Sequence, residues 1–338
     1  MVISANGSAN GDPPIDPKPP VIRSNVPTPP SWDQDGMFKA FKTADETVDW
    51  ISLTDPLEWW HATDAAPEKS RTYQNQQWQN YLIQQHKLNV FIQLDPYAPP
   101  RTGPLSKRLP DKLKDQTFAS PAVRQAFIAE SVARVKWYNA SMVCLAMEIN
   151  AYYDEQPDDF DNFISLFVET RNEIKKIKPD AVVLVSFQYE SLLGRYPELG
   201  PRHKHEPQWH LFEKFEPHVD AFGLSSYPME GMNPPRFGDP ADLPDDYYSR
   251  VSAHTKKPIV FAELGYASDD KYGGSQERQA AFLRRFGKLT DGMNLLLVNY
   301  YFLYDVQGFG PVFSSMGLLD SAGNPKKALD VWKSMWNE

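Results

Sequence analysis

SPAVRQAFIAESVARVKWYNASMVCLAMEI, residues 120–149, contains one full unit of the pattern that decides the fold. Ser120 followed by Pro121 reads as a helix start: a serine oxygen accepts a backbone N–H there, and proline gives up only a donor the first turn does not use. Helical spacing of apolar residues continues to Tyr138. After a short polar break, Met142-Val143-Cys144-Leu145-Ala146-Met147 is an apolar run that closes on Glu148, as a buried strand would.

The same helix–strand alternation extends in both directions. Strands are predicted at 21–26, 48–53, 89–94, 142–149, 181–187, 219–225, 258–264 and 295–302. Helices are predicted at 35–44, 73–86, 121–138, 158–177, 206–215, 242–255, 275–289 and 325–336. Gly274-Ser275 with Glu277 in the first turn opens the seventh helix, and Asn324-Pro325 the eighth. Strict alternation implies a parallel sheet with right-handed crossovers. Eight repeats over residues 20–338 fit the α/β class as one closed (β/α)₈ TIM barrel with long βα loops. An open doubly wound sheet competes with it, but would carry a glycine-rich phosphate turn after its first strand. That position reads Asn25-Val26-Pro27-Thr28-Pro29-Pro30, where prolines remove the N–H groups a pyrophosphate needs.

Composition narrows the function. The chain has 338 residues, 41% hydrophobic and 23% charged, enough apolar material for a large core. Its net charge of −9 disfavours a nucleic-acid partner. No apolar run approaches the roughly 18 residues of a membrane span. The single cysteine, Cys144, excludes an internal disulfide and a thiolate cage, and no cofactor is expected. Residues 1–19 read as a Pro/Gly/Asn-rich linker. Such a spacer suits a secreted, periplasmic or cell-surface protein, expected as a monomer; a cytoplasmic extension is the other reading.

Barrel chemistry sits where strands end and βα loops begin. Those positions supply Asn25, Gln93, Asp95, Glu148, Asn150, Gln188, Ser226, Tyr227, Glu263, Asn299 and Tyr301. Glu148 and Glu263 stand out because each closes a strongly apolar run, on strands four and seven. Alternation puts Glu148 on the face of Cys144 and Ala146, and Glu263 on that of Ile259 and Phe261. Two carboxyl groups meeting over such a mouth suit glycosidic hydrolysis, with retention at about 5–5.5 Å separation and inversion at about 6.5–9.5 Å. Tyr227 is placed to hydrogen-bond a nucleophilic carboxylate. Trp59, Trp60, Tyr97, Tyr152 and Tyr266 fall in predicted βα loops, where flat rings can stack on sugar C–H faces.

Glu148 after strand four, Ser225-Ser226-Tyr227-Pro228 after strand six and Glu263 after strand seven resemble the clan of retaining (β/α)₈ glycoside hydrolases that includes endo-β-1,4-galactanases, cellulases and β-mannanases. Gly274–Ala280 and the run from Gly317-Leu318-Leu319-Asp320 to Leu329 also fit that order. The resemblance implies Glu148 as general acid/base, Glu263 as nucleophile with Tyr227 supporting it, retention, and a β-linked polysaccharide or oligosaccharide substrate, attacked internally. Three positions depart from it. Met147 stands where the clan has Asn before the acid/base, leaving Asn150 to contact the sugar 2-hydroxyl. The strand-two Arg is missing, and Asn299-Tyr300-Tyr301-Phe302 replaces a strand-eight Trp. A carbohydrate-binding barrel with little or no turnover therefore stands as the alternative. His203, His205 and His210 with Glu206 form the one metal-like group, in a proline-flanked loop unsuited to an open catalytic site.

Overall fold

The computed structural model describes residues 20–62, 70–97, 99, 101–194, 206–229, 239–308 and 312–336. Eight parallel strands close into a barrel in chain order: β1 (Ile22–Val26), β2 (Trp50–Pro56), β3 (Asn89–Asp95), β4 (Met142–Cys144), β5 (Val182–Gln188), β6 (Ala221–Ser226), β7 (Ile259–Leu264) and β8 (Leu295–Phe302). The closed ring removes the open-sheet alternative. The expected 1–19 linker lies outside the described residues.

Outside the barrel run α1 (Gln34–Asp45), α2 (Arg71–His86), α3 (Pro121–Tyr138), α4 (Asn150–Glu155), α5 (Pro157–Ile177), α6 (Tyr189–Leu192), α7 (His210–Phe215), α8 (Gln276–Leu289) and α9 (Lys327–Ser334). None of these helices is long and apolar enough to cross a membrane. Where the sequence predicts helix at 242–255, the chain forms 3₁₀ segments at Pro240–Asp242 and Ser249–Ala253. Tertiary demand overrides propensity there: the adjacent Tyr247 and Tyr248 are both buried, and both hydroxyls enter one hydrogen-bond network behind β6. Asn324 does not cap the last helix; it closes a turn with Asp320, and α9 starts after Lys326.

Two apolar layers result. Inside the barrel lie Phe91, Met142, Cys144, Leu184, Ala221, Val260, Ala262 and Leu297. Between strands and helices lies a larger aromatic layer, with Phe212 stacked on Phe222 at 4.3 Å and Phe261 edge-on to Phe286 at 4.8 Å. Gln279 of α8 ties together the barrel end at which the strands finish: its amide nitrogen lies 3.0–3.1 Å from the carbonyls of Tyr266, Met316 and Gly317 and from the Tyr300 hydroxyl. That joins the Gly274–Ala280 motif to the Gly317-Leu318 motif. Burial pushes the Cys144 thiol up to about 12, so it stays an inert core group.

Candidate active site

Both glutamates reach the mouth, each by a route that strand alternation does not describe. β4 ends at Cys144, not at 149. The following turn is tied to its neighbours by Met147 N–H donating to Leu94 O (3.2 Å) and Ile149 N–H to Ser186 O (2.9 Å). Within it Glu148 takes a left-handed conformation, φ 49°, and its N–H donates to Ser186 Oγ at 3.0 Å. A non-glycine residue there costs about 1–2 kcal/mol. Trp59 and Arg101, in the loops after β2 and β3, are left-handed as well.

On β7 the expected parity is reversed. Val260 and Ala262 face the barrel interior, while Phe261 packs outward on Tyr248 and Phe286. Glu263 nevertheless points into the mouth because β7 carries an extra residue. Pairing with β6 jumps from Phe261 to Glu263 while β6 advances one residue, from Leu224 to Ser225. Pairing with β8 is irregular over the same stretch. Such a bulge aims two successive side chains to one side and frees a ladder carbonyl. That carbonyl, Ala262 O, accepts from Asn299 Nδ2 at 2.7 Å and Gln93 Nε2 at 3.1 Å. Gln93 and Asn299 thus hold the bulge beneath Glu263. Asn25, fully buried, has neither side-chain polar atom bonded among the described residues.

Arg101 connects the carboxyl groups. Its guanidinium donates to Glu148 Oε2 at 2.6 Å and to Asp95 Oδ2 at 2.7 Å, and it feels the charge of Glu263. No motif marks Arg101 in the sequence. It supplies from the β3 loop the cation that β2 lacks. Tyr227 Oη donates to Glu263 Oε2 at 2.7 Å. A Cβ on Gly265 would lie 2.8 Å from the Tyr227 ring, so this position must stay bare for the ring to lie there. Burial and Glu263 raise the Tyr227 hydroxyl far above its ordinary value, which keeps it a donor. Tyr301 Oη pairs with Thr54 Oγ1 at 2.8 Å, and its hydroxyl is raised by burial and by Glu263.

Burial first, and the Glu148 charge second, push the Glu263 carboxyl up to about 8; Tyr227 and Arg101 pull the other way. Glu148 is likewise raised by burial, opposed by Arg101, then raised by Asp95 and lowered by Ser225. Asp95 is raised by burial against Arg101. The two carboxyl groups thus repel each other's charge, and Arg101 opposes that repulsion chiefly at Glu148.

Several expected sugar contacts are committed elsewhere. Trp59 is buried and packs on Phe127; Tyr97 and Tyr152 meet edge-on at 5.0 Å over Phe118; Tyr266 stacks on Phe282 at 4.9 Å. These four rings are core, because the loops that carry them fold back onto helices. Trp60 is half-buried under the Arg134 guanidinium, 4.3 Å from its ring. Asn150 does not stand in for the missing Asn: its amide exchanges hydrogen bonds with the Gln188 backbone, at 2.9 and 3.1 Å. Gln188 caps α6 through Ser191 N–H. Ser226 donates to Glu190 at 2.6 Å. Glu190, which no sequence motif marks, is a further buried carboxyl group beside the mouth. It accepts from Gln188, Ser226, Tyr247 and the Tyr227 N–H, fixing the backbone that carries the tyrosine on Glu263. A polar residue two places after β5 was its available signal. His203 and His205 lie outside the described residues, and His210 pairs with Tyr153.

No protein-family model and no curated protein sequence matches the chain. Solved structures do match it. GH5_18 from Streptomyces cattleya, in complex with GlcNAc, superposes with TM-score 0.69 at 12% identity, over 94% of this chain and 80% of that one. GH5_18 from Bifidobacterium longum subsp. longum, in complex with Manβ1-4GlcNAc, gives 0.67 at 13%, over 92% and 77%. The GH53 catalytic domain of Ignisphaera aggregans gives 0.62 at 15%, over 94% and 92%. The protein thus has the (β/α)₈ fold of the glycoside hydrolases its motifs resemble. At these identities the likeness is one of fold.

Proposed function

We propose that the protein is a retaining glycoside hydrolase acting on a β-linked polysaccharide or oligosaccharide. The observation that carries this reading is the pair of carboxyl groups at the mouth, Glu148 in the turn after β4 and Glu263 on β7, with Arg101 on the first and a tyrosine donor on the second. Glu263 carboxylate attacks the anomeric carbon as the Glu148 carboxylic acid gives its proton to the departing oxygen, forming a glycosyl ester. Water then attacks that carbon, Glu148 takes its proton, and Glu263 leaves as carboxylate. Two inversions give net retention.

The resting ion pair with Arg101 favours charge on Glu148, the wrong state for the first step. A sugar that displaces the guanidinium toward Asp95 removes that bias: Glu148 then takes the proton, and Glu263 keeps charge under the Tyr227 donor. Substrate entry and acid loading are one event.

Screening neutral β-glycans with product analysis by NMR tests the reading, and viscosity loss measured against reducing-end release tests internal cleavage. The expected result is new reducing ends with β configuration at first detection. Initial α product overturns retention. The Arg101–Glu148 ion pair also supports a second reading, a binding barrel whose acid stays clamped; glycan retention without new reducing ends selects it.

A further inference from the structure

The exposed aromatic side chains among the described residues are Trp32 (61%), Phe38 (52%) and Tyr81 (48%), and all three lie on or beside α1 and α2. Between these helices runs a groove of about 850 Å³ lined by Trp32, Met37, Gln74, Gln77, Trp78 and Tyr81, among others. On α2, positions 74, 77, 78 and 81 recur at i, i+3, i+4 and i+7 and so share one face. Trp78 and Tyr81 stack on each other at 5.1 Å with their planes 16° apart, which holds both rings in a fixed orientation beside the groove. Asp33 is the one charged residue in the lining, and its carboxylate is occupied in capping α1 through Gly36 N–H at 2.8 Å. The rest of the lining is aromatic rings, amides and one methionine.

We propose that this groove is a second glycan-binding site, outside the catalytic mouth, for a neutral polysaccharide chain. Flat rings match the apolar C–H faces of pyranoses, and side-chain amides match neighbouring hydroxyls because each offers a donor and an acceptor. The near absence of charge fits an uncharged ligand and gives no purchase to an acidic or basic one. Trp32 sits in the loop after β1, so the groove opens at the strand-end rim that carries Glu148 and Glu263. A polymer held there is kept beside the mouth, raising its local concentration. The choice of a glycan as ligand rests on the hydrolase reading above; the groove's own chemistry is separate from it.

The test uses the full chain carrying Glu263→Gln, run by affinity gel electrophoresis through galactan, glucomannan and hydroxyethylcellulose. At least one of these polymers is expected to retard the parent, with Trp32→Ala and Tyr81→Ala each weakening that retardation several-fold. In the active protein the same two substitutions should leave kcat/KM on an aryl glycoside within twofold while lowering it on the polymer. Trp32 is exposed and outside any helix, so its replacement tests the site without touching the core. Parent-like retardation of both variants, or retardation of the parent by none of the polymers, overturns the proposal. A drop in solution mass on Trp32→Ala with glycan retardation unchanged assigns the groove to self-association and also overturns it. If no glycoside is turned over yet the retardation depends on Trp32, the hydrolase reading falls and the second site stands.

Discussion

The two glutamates are delivered to the mouth by opposite means. Glu263 lies within β7, where an extra residue is fixed by two amides on the freed Ala262 carbonyl. Glu148 lies beyond the end of its strand in a left-handed turn and is gripped by an arginine from a different loop. One carboxyl group is built into the wall of the barrel, the other is adjustable from its rim. In the double displacement proposed above, the fixed group is the nucleophile and the adjustable one the acid/base that changes protonation twice per cycle.

Removing each group breaks the symmetry hardest. Glu263→Ala should lower kcat/KM on the order of 10⁵-fold with every substrate, and added azide should give a product of inverted configuration. Glu148→Ala should cost about 10²–10⁴-fold on substrates with poor leaving groups and much less on activated aryl glycosides, with azide giving retained product. NMR of the azide adducts reads the difference directly; retained product from both variants would refute the assignment.

Tyr227→Phe tests the wall side. A hydrogen bond to a charged group contributes about 1.5–3 kcal/mol, so activity should fall roughly 10- to 100-fold. The ionised form of Glu263 loses its donor, its pKa rises, and the acid limb of kcat/KM moves to higher pH. Arg101→Met tests the rim side. Loss of a cation beside Glu148 disfavours its charged form, so the alkaline limb should move up by roughly one unit or more. A profile unchanged by Arg101→Met would show that the ion pair does not govern the acid.

The smallest expected effect is on the backbone. At 148 the left-handed conformation makes Gly more stable than Ala by about 1 kcal/mol, whereas within strand β7 at 263 Gly should be less stable than Ala by roughly 0.5–1 kcal/mol. Urea unfolding of the four variants measures both differences, and equal signs would contradict the two modes of delivery.

The barrel was legible because its signals are local: apolar runs, Ser120-Pro121, Gly274-Ser275 and a strictly repeating order. The 121–138 helix matches the structure to the residue. That Glu148, Glu263 and Tyr227 share the mouth was legible because polar residues closing apolar strands are conspicuous; their catalytic roles belong to the proposal above. What failed depended on non-local geometry. Period-two alternation assigned Phe261 to the interior and could not foresee an extra residue held by side chains from β3 and β8. Arg101 gave no sign because its partners are brought to it by folding, six residues away at Asp95 and 47 away at Glu148. Placement in a βα loop does not say which way a ring turns, and Trp59, Tyr97, Tyr152 and Tyr266 turn inward onto other rings. The exposed rings lie on or just before α1 and on α2, the site proposed above.

Because Arg101 rides on a loop while the Ala262 clamp belongs to the sheet, the surroundings of the two carboxyl groups can be inherited separately. Changes to the segment after β3 can alter the charge beside Glu148, in successive descendants, with the aim of Glu263 left as it was. Deleting one residue from β7 offers no such gradual path: it would turn Glu263 away in a single step.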